Sequence, residues 1–370
     1  MAWAAPVVVA GAVAAGVMVS NASSSAASPT LPTRTAAQLL TAVQKSNVTA
    51  LYGQITESAS LGLPSLPGDR ANASFSWQTF ITGSHSAKVW IDGPDKQRVA
   101  LVGELSEADV VHNGQNVWSY TSATDTVTHT VLPKDKAGQT EKTNEPSAAD
   151  ATPAGIAARV LKAIDPTTKV AVDSTTVVAN QDAYVLTISP RDTRSTVSKV
   201  TIAIDAKKYV PLAVKIYGTG STPAFQVGFT SITYAKPAAS TFNFQTPKGA
   251  TTSNDPFGIK SDPEGHHHGA KVKGTQKPTA EPAATDPARS SKAPKVIGKG
   301  WTSVVELPAG SAGATLNNST LQDLTTSVGN SGARLLHTAV INAVLLPDGR
   351  VFVGAVSPSF LENVAATTPN

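Results

Sequence analysis

Few residues of this sequence have the types and the spacing of a catalytic site. Ser331 lies in GNSGA, which lacks the second glycine of a nucleophile elbow, so we expect a turn serine there. Four carboxylates that are close in sequence fall at predicted turns, where solvated side chains are expected rather than an acid–base pair. They are Asp92, Asp95, Glu107 and Asp109.

Histidine and cysteine give no stronger indication of a reactive or metal-binding centre. The triplet His266-His267-His268 lies beside Glu264 in a polar stretch, and three adjacent imidazoles cannot all converge on one ion with good geometry. His112 precedes a turn, and the chain has no cysteine, which removes thiolate nucleophiles, disulfides and cysteine-based zinc sites. No phosphate-binding loop, HExxH motif or dinucleotide fingerprint is present. We therefore predict a protein that is not an enzyme and that holds no metal or cofactor.

Composition sets the scale of the molecule. The chain has 370 residues, of which 41% are hydrophobic, 5% aromatic and 15% charged, so it can build two modest domains with a sizeable core. The formal net charge is +4, and the basic residues are scattered rather than clustered among aromatic residues. This distribution argues against a nucleic-acid partner.

Strand-like alternation dominates the middle of the chain. It is clearest in residues 97–120, 181–218 and 225–234, where apolar side chains such as Ile202 and Ile204 recur at every second position. Turn residues separate the runs, which predicts one long antiparallel meander with an apolar face. A sheet of that length must curl, pack against helices or hold a ligand in its concavity.

Two helices are predicted around these strands. Residues Thr35–Ser46 form an amphipathic pattern that Thr33 or Thr35 can cap. Residues Thr152–Ile164 have a capping threonine followed by proline at the first helical position. A further strand is expected over Ala71–Thr82.

The N-terminal residues 1–34 resemble an export segment. Ala2 to Val19 is almost wholly apolar, and small residues that suit signal cleavage follow it. No lysine or arginine precedes Arg34, and the apolar run is about long enough for an uncleaved membrane helix. A cleaved signal peptide and a membrane anchor with a spacer both stay open, and each predicts a protein that is secreted or anchored at the cell envelope.

The C-terminal third changes character twice. Residues 251–294 are rich in proline, lysine and alanine, which predicts a disordered linker. Residues 295–370 regain an apolar pattern and predict a small β-α-β-β-α module. Its elements are a strand at Trp301–Leu307, a helix at Ser319–Val328, strands at Leu335–Leu346 and Val351–Val356 around an Asp-Gly hairpin, and a helix at Pro358–Ala366.

Five short motifs lie in order along residues 35–250. They are WIDGP at 90–94, DVVHNG at 109–114 with Trp118, IDA at 204–206, VPL at 210–212 and FNFQTP at 242–247. On these motifs, residues 35–250 resemble the LolA/RseB superfamily of periplasmic lipoprotein-binding proteins, whose members include outer membrane lipoprotein carrier proteins. The alanine-rich chain without cysteine looks like the secreted actinobacterial branch. The C-terminal module lies outside the core pattern of the family.

The resemblance implies a mainly β, α+β fold in which a half-open antiparallel β-barrel wraps around helices and leaves an apolar cavity. It implies an exported carrier or chaperone that holds a lipid or the acyl chains of a lipoprotein. An alternative is an RseB-like sensor that binds a membrane anti-sigma factor and responds to envelope signals. Partners would be acyl chains, the membrane surface or an envelope regulatory protein.

Apolar residues on the patterned strands are the candidates for lining this cavity. An ordinary close-packed core is the competing interpretation of the same side chains. The candidates are Trp77, Trp90, Trp118, Leu186, Ile188, Ile202, Ile204, Val214, Ile216, Phe225, Val227 and Phe229.

Overall fold

The computed structural model describes residues 28–63, 82–102, 107–132, 152–253, 294–309, 323–329 and 331–369. The apolar N-terminal run, the predicted strand at 71–82 up to residue 81 with Trp77, the histidine triplet and residues 254–293 of the predicted linker lie outside them. The α-helices that lie wholly within the described residues are α1 (Ala36–Gln44), α2 (Pro153–Lys162) and α3 (Pro358–Thr367), and Asp323 and Leu324 are also helical.

Twelve strands form a first, large sheet. They are β1 (Ala50–Ser60), β2 (Thr82–Asp92), β3 (Lys96–Val102), β4 (Glu107–Asn113), β5 (Asn116–Thr121), β6 (Thr126–Val131), β7 (Thr168–Val178), β8 (Gln181–Pro190), β9 (Lys199–Asp205), β10 (Pro211–Tyr217), β11 (Pro223–Thr233) and β12 (Thr251–Ser253). A second sheet contains β13 (Lys295–Ile297), β14 (Val304–Leu307), β15 (Thr326–Val328), β16 (Ala333–Leu336), β17 (Asn342–Leu345) and β18 (Val351–Gly354).

The large sheet has the order β12-β6-β5-β4-β3-β2-β1-β11-β10-β9-β8-β7. Two antiparallel meanders, β2–β6 and β7–β11, meet at β1, which pairs with both β2 and β11. The sheet curls until Cα atoms of β7 come within 8 Å of β11, and in the described part of the chain its two end strands do not pair. The predicted fold class, a mainly β protein with an open and curved antiparallel sheet, is confirmed.

Both predicted helices are present, and their first turns explain where they begin. The Thr35 side chain accepts a hydrogen bond from the Gln38 backbone N–H at 3.2 Å, and the Gln38 side chain accepts one from the Thr35 N–H at 2.9 Å. This reciprocal capping satisfies amide groups that have no partner within α1. The Thr152 hydroxyl accepts from the Gly155 N–H at 3.2 Å, with Pro153 at the first position of α2.

The turn after β9 shows why the IDA motif suits this sheet. Asp205 is 1% exposed, and its Oδ1 accepts the N–H groups of Lys207 and Lys208 at 2.7 and 2.6 Å. Its Oδ2 accepts the Tyr234 hydroxyl at 2.7 Å. One buried carboxylate thus closes the β9–β10 turn and ties it to the end of β11.

Helices α1 and α2 pack against one face of the large sheet, which we call the inner face. Leu39 of α1 and Ala157 of α2, both 0% exposed, belong to the same apolar cluster as Leu186 and Ile202 of the sheet. The opposite side of the sheet is the outer face. The main core of the protein therefore lies between the inner face and these two helices.

The C-terminal module is more strand-rich than expected. Its sheet has the order β13-β14-β18-β17-β16-β15, and α3 packs on it. The Asp-Gly hairpin between β17 and β18 and the last helix are confirmed. The predicted helix at Ser319–Val328 is wrong at its C-terminal end, because Thr326–Val328 pairs with β16. The predicted strand at Leu335–Leu346 is divided between β16 and β17.

The module is docked on the large sheet through backbone hydrogen bonds. The Ala339 N–H donates to the Leu61 carbonyl at 2.8 Å, and the Thr196 N–H donates to the Ala355 carbonyl at 3.0 Å. The Trp301 indole N–H adds a bond of 2.9 Å to the Thr168 hydroxyl. These contacts are spread over several loops, so the two sheets hold each other without needing the connection at 254–293.

We expect a protease to cut the predicted linker first and to leave two fragments that stay together. The composition of residues 254–293 favours cleavage there, while the docking contacts are formed by other segments. Co-elution of both fragments in size-exclusion chromatography under native conditions would support this. Separation of the fragments without denaturant would contradict it.

Candidate functional site

The strand register places nine of the twelve candidate residues on the inner face. Leu186 pairs with Ile202, Ile202 with Val214 and Val214 with Val227, and directly paired residues share a face. The nine residues of this set are Leu186, Ile188, Ile202, Ile204, Val214, Ile216, Phe225, Val227 and Phe229. Sequence alternation alone could not show that neighbouring strands present these residues to the same side.

Exposure divides the nine residues into two groups. Seven are buried, from 0% at Ile202 to 5% at Phe229, and lie in the apolar cluster with α1 and α2. Ile216 and Phe225, which pair with each other, stay partly exposed. The seven buried residues thus have the environment of an ordinary core, and the accessible part of the inner face is found at Ile216 and Phe225.

On the far side of the buried Ala59, exposure of the inner face returns on β2. Phe225 pairs with Ala59, and Ala59 pairs with Gly83, which is exposed. Among the described residues, a Cβ atom at Gly83 would contact only the ring of His85, at 3.9 Å, so this position is open. We call Ile216, Phe225, Ala59 and Gly83 the rim of the inner face.

A buried acidic residue lies next to the rim, and the sequence analysis missed it. Glu57 of β1 is 5% exposed and pairs with Val227 on one side and His85 on the other. Its Oε2 lies 3.0 Å from His85 Nδ1, whereas its Oε1 is buried and has no hydrogen-bond partner in the part of the chain that the structure describes. The sequence did contain a signal for the burial of Glu57. Its position alternates in phase with Leu51, Ile55 and Ala59, which are buried on the same face of β1.

Burial raises the pKa of Glu57 above its usual value, and the hydrogen bond and charge of His85 oppose that shift. Because the folded state binds this proton more tightly than the unfolded state, stability falls as pH rises from the unfolded pKa towards the folded pKa.

We expect the substitution Glu57→Gln to make this fall shallower by up to about 1.4 kcal/mol per pH unit, the limit for one proton. The buried Asp109, whose pKa burial also raises, retains its own contribution in the variant. Urea unfolding of both proteins from pH 4 upwards measures the difference. Parallel stability curves would contradict the prediction.

Trp90 and Trp118 lie on the outer face and not with the other candidates. Trp90 pairs with Arg98, and Trp118 pairs with Val111, all on the side opposite the inner face. The Arg98 guanidinium lies 5.5 Å from the Trp90 ring centre and makes two bonds to Asp109, of 3.1 and 2.7 Å. These tryptophans are therefore part of a separate cluster.

Residues 239–253, which we call the covering segment, run over this outer cluster. The Asn113 amide donates to the Phe242 carbonyl at 3.2 Å, and Arg98 Nη1 donates to the Thr241 carbonyl at 3.1 Å. Phe244 stacks on Trp118 with ring centres 6.0 Å apart. The segment ends as β12, which pairs in parallel with β6, so the first three residues of the predicted linker are a strand.

Three of the other residues that could do chemistry have structural partners. The Ser331 hydroxyl donates to the Val328 carbonyl at 2.7 Å, as a turn serine does. Asp92 lies 3.3 Å from Lys236 Nζ, and His112 Nε2 lies 2.7 Å from the Gly114 carbonyl. Within the described ranges, no group of three or more metal-ligating side chains comes together.

No helix in the described part of the chain is long and apolar enough to cross a membrane.

These features define a class of protein: an open half-barrel whose apolar inner face is lined by helices, with a second module docked on it. Residues 72–253 match a family model described as "Predicted periplasmic protein (DUF2092)". This description confirms the extracytoplasmic location expected from the sequence. No curated protein matches the sequence significantly.

Similar solved structures include the MucA/MucB complex of Pseudomonas aeruginosa, whose matched chain is 13% identical. The match covers 89% of this chain and 96% of that chain, with a TM-score of 0.43. A LolA superfamily protein from Nitrosomonas europaea is 11% identical over 57% of this chain and 98% of its own, with a TM-score of 0.23. MucB and a LolA superfamily protein are thus among the solved structures to which this chain is similar.

Proposed function

We propose that the protein is an exported, non-catalytic carrier or chaperone that binds an acyl chain of a lipid or a lipoprotein at the rim of the inner face. The observation that carries the proposal is the partial exposure of Ile216 and Phe225 at the edge of an otherwise buried apolar face. The apolar residues Ile156, Val160 and Leu161 of α2 are also only partly buried beside the same cluster.

Such a site binds by removing apolar surface from water, at about 0.8 kcal/mol for each CH₂ group buried. It needs no reacting side chain, which agrees with the lack of a catalytic motif in the sequence. The buried residues of the inner face, including Ile202 and Ile204, would support the site from below rather than touch the ligand. Trp90 and Trp118, on the outer face, are not part of this proposal.

A displacement assay tests the proposal. The neutral dye N-phenyl-1-naphthylamine should bind to the full chain and should be displaced by a triacylated lipopeptide. Phe225→Lys should weaken dye binding at least tenfold, because it places a charge in the apolar site. Gln226→Lys, on the opposite face of the same strand, is the matched control and should bind as the wild type does.

Absence of dye binding to the wild type would defeat the proposal, and so would equal binding by both lysine variants. Native mass spectrometry after gentle purification is an independent test of lipid binding, since a lipid that occupies the site should add its mass to that of the protein.

A regulatory sensor is the second candidate. The observation that favours it is the docked C-terminal module, which a simple carrier of acyl chains does not require. MucB, one of the similar structures, is described in complex with MucA. Capture of a membrane anti-sigma factor by the full chain, and loss of that capture without residues 295–370, would select this candidate over a carrier.

A further inference from the structure

Glu57 is the polar exception in an apolar row. Across the sheet its row contains Leu186, Ile202, Val214 and Val227, which are all buried, and in the described part of the chain it extends on the other side to His85. Its neighbours along β1 on the same face, Ile55 and Ala59, are buried too. A carboxylate in such surroundings is costly unless its lone pairs are satisfied, and a well-packed apolar residue would be cheaper.

The two carboxylate oxygens of Glu57 have different environments. His85 Nδ1 lies 3.0 Å from Oε2 and fixes the orientation of the carboxyl group. Oε1 is buried and has no partner among the described residues. An unsatisfied buried acceptor is costly, so a ligand that donates a hydrogen bond there gains what the protein alone lacks.

The strand register places the rim next to Glu57. Val227 is the cross-strand partner of Glu57, and Phe225 and Ala59 are the next residues along β11 and β1 on the same face. Gly83, the next residue along β2 from His85 on that face, leaves open space where a side chain would otherwise stand. An apolar chain that contacts Phe225 and Ile216 would therefore have its polar end within the neighbourhood of Glu57.

We propose that Glu57 selects the head group of the bound molecule: the site takes an apolar chain whose head group donates a hydrogen bond, a hydroxyl or an ammonium, and rejects a free carboxylate. This inference rests on the proposed acyl-chain function. A hydroxyl or an ammonium satisfies Oε1, whereas an ionised carboxylate brings a second acceptor and a negative charge into an apolar site. The selectivity thus comes mainly from excluding the wrong head group.

The test uses three ligands with the same chain: dodecanol, dodecylamine and dodecanoate. Each ligand is titrated at pH 8 into the full chain with bound N-phenyl-1-naphthylamine, at concentrations at which the ligand stays monomeric in water. The wild type should prefer dodecanol and dodecylamine to dodecanoate by at least tenfold. Comparison of the alcohol with the amine shows which donor the site favours.

Three variants isolate the role of Glu57. Glu57→Leu should bring the three ligands within about threefold of each other, mainly by improving dodecanoate, because it removes the acceptor and its charge. Glu57→Gln keeps the shape and an acceptor, so dodecanol should bind as before while the penalty on dodecanoate falls. Ser58→Ala, on the opposite face of β1, should keep the wild-type preference.

The outcomes separate this inference from the function on which it rests. If none of the three chains displaces the dye, the acyl-chain function fails and the selectivity fails with it. If all three bind equally to the wild type, or if both Glu57 variants keep its preference, only the selectivity is overturned. Should Glu57→Leu not fold, Glu57→Gln decides the question alone.

Discussion

Replacing Ile202 with lysine is expected to unfold the large sheet or to remove more than about 3 kcal/mol from its free energy of unfolding. Ile202 is 0% exposed in the cluster between the sheet and the helices, so the new ammonium would be buried without a partner. The same substitution at Ile216, on the adjacent strand and the same face, should cost about 1 kcal/mol. Ile216 is partly exposed, and a lysine there can extend its charged end into water.

Urea unfolding of the two lysine variants beside the wild type measures this difference. The comparison decides between the two interpretations of the inner face. A near-native melt for Ile202→Lys would show that water reaches this position and that the cavity is deeper than the rim. Equal and large losses at both positions would show that Ile216 is also part of a closed core.

Phe242→Ala is expected to lower the free energy of unfolding by about 3–5 kcal/mol, the usual cost of removing a buried phenylalanine. Phe242 is 0% exposed, and its backbone carbonyl accepts the amide of Asn113. Its loss should loosen the covering segment from the outer face. Phe244→Ala is the matched control, since Phe244 is partly exposed and stacks only at 6.0 Å on Trp118.

Thermal melts and urea titrations of both alanine variants test this prediction. The Phe244 change should cost no more than about 1.5 kcal/mol, the upper value for an aromatic pair. If the two changes cost the same, burial of Phe242 is not what holds the covering segment in place.

Local patterns predicted local structure well. The capping threonine and Pro153 marked the start of α2, and the Asp-Gly pair marked the hairpin between β17 and β18. These features depend on residues within a few positions of each other, so a single sequence contains what they need. The family resemblance then supplied the curvature of the sheet, which periodicity alone does not determine.

Features that depend on the register between strands could not be predicted from the sequence. Trp90 and Ile202 each sit on an alternating strand, but the pairing of β1 with β11 decides that they face opposite sides. The helix predicted at Ser319–Val328 is wrong at its C-terminal end, because Thr326–Val328 pairs with β16, and helical spacing does not show such a pairing. Glu57 could have been found as an acidic residue at an apolar position of an alternating strand, although its partner His85 could not.

The central position of β1 has a consequence for how the molecule reaches its folded state. Tyr52 pairs with Trp90 soon after in the chain, but on its other side it pairs with Thr233. During synthesis from the N-terminus, one edge of β1 stays unpaired until β11 has been made. The unpaired backbone groups of such an edge can pair with strands of other molecules. Non-local pairing of this kind makes folding slow. Fragments that end before residue 223 are therefore expected to aggregate rather than to fold.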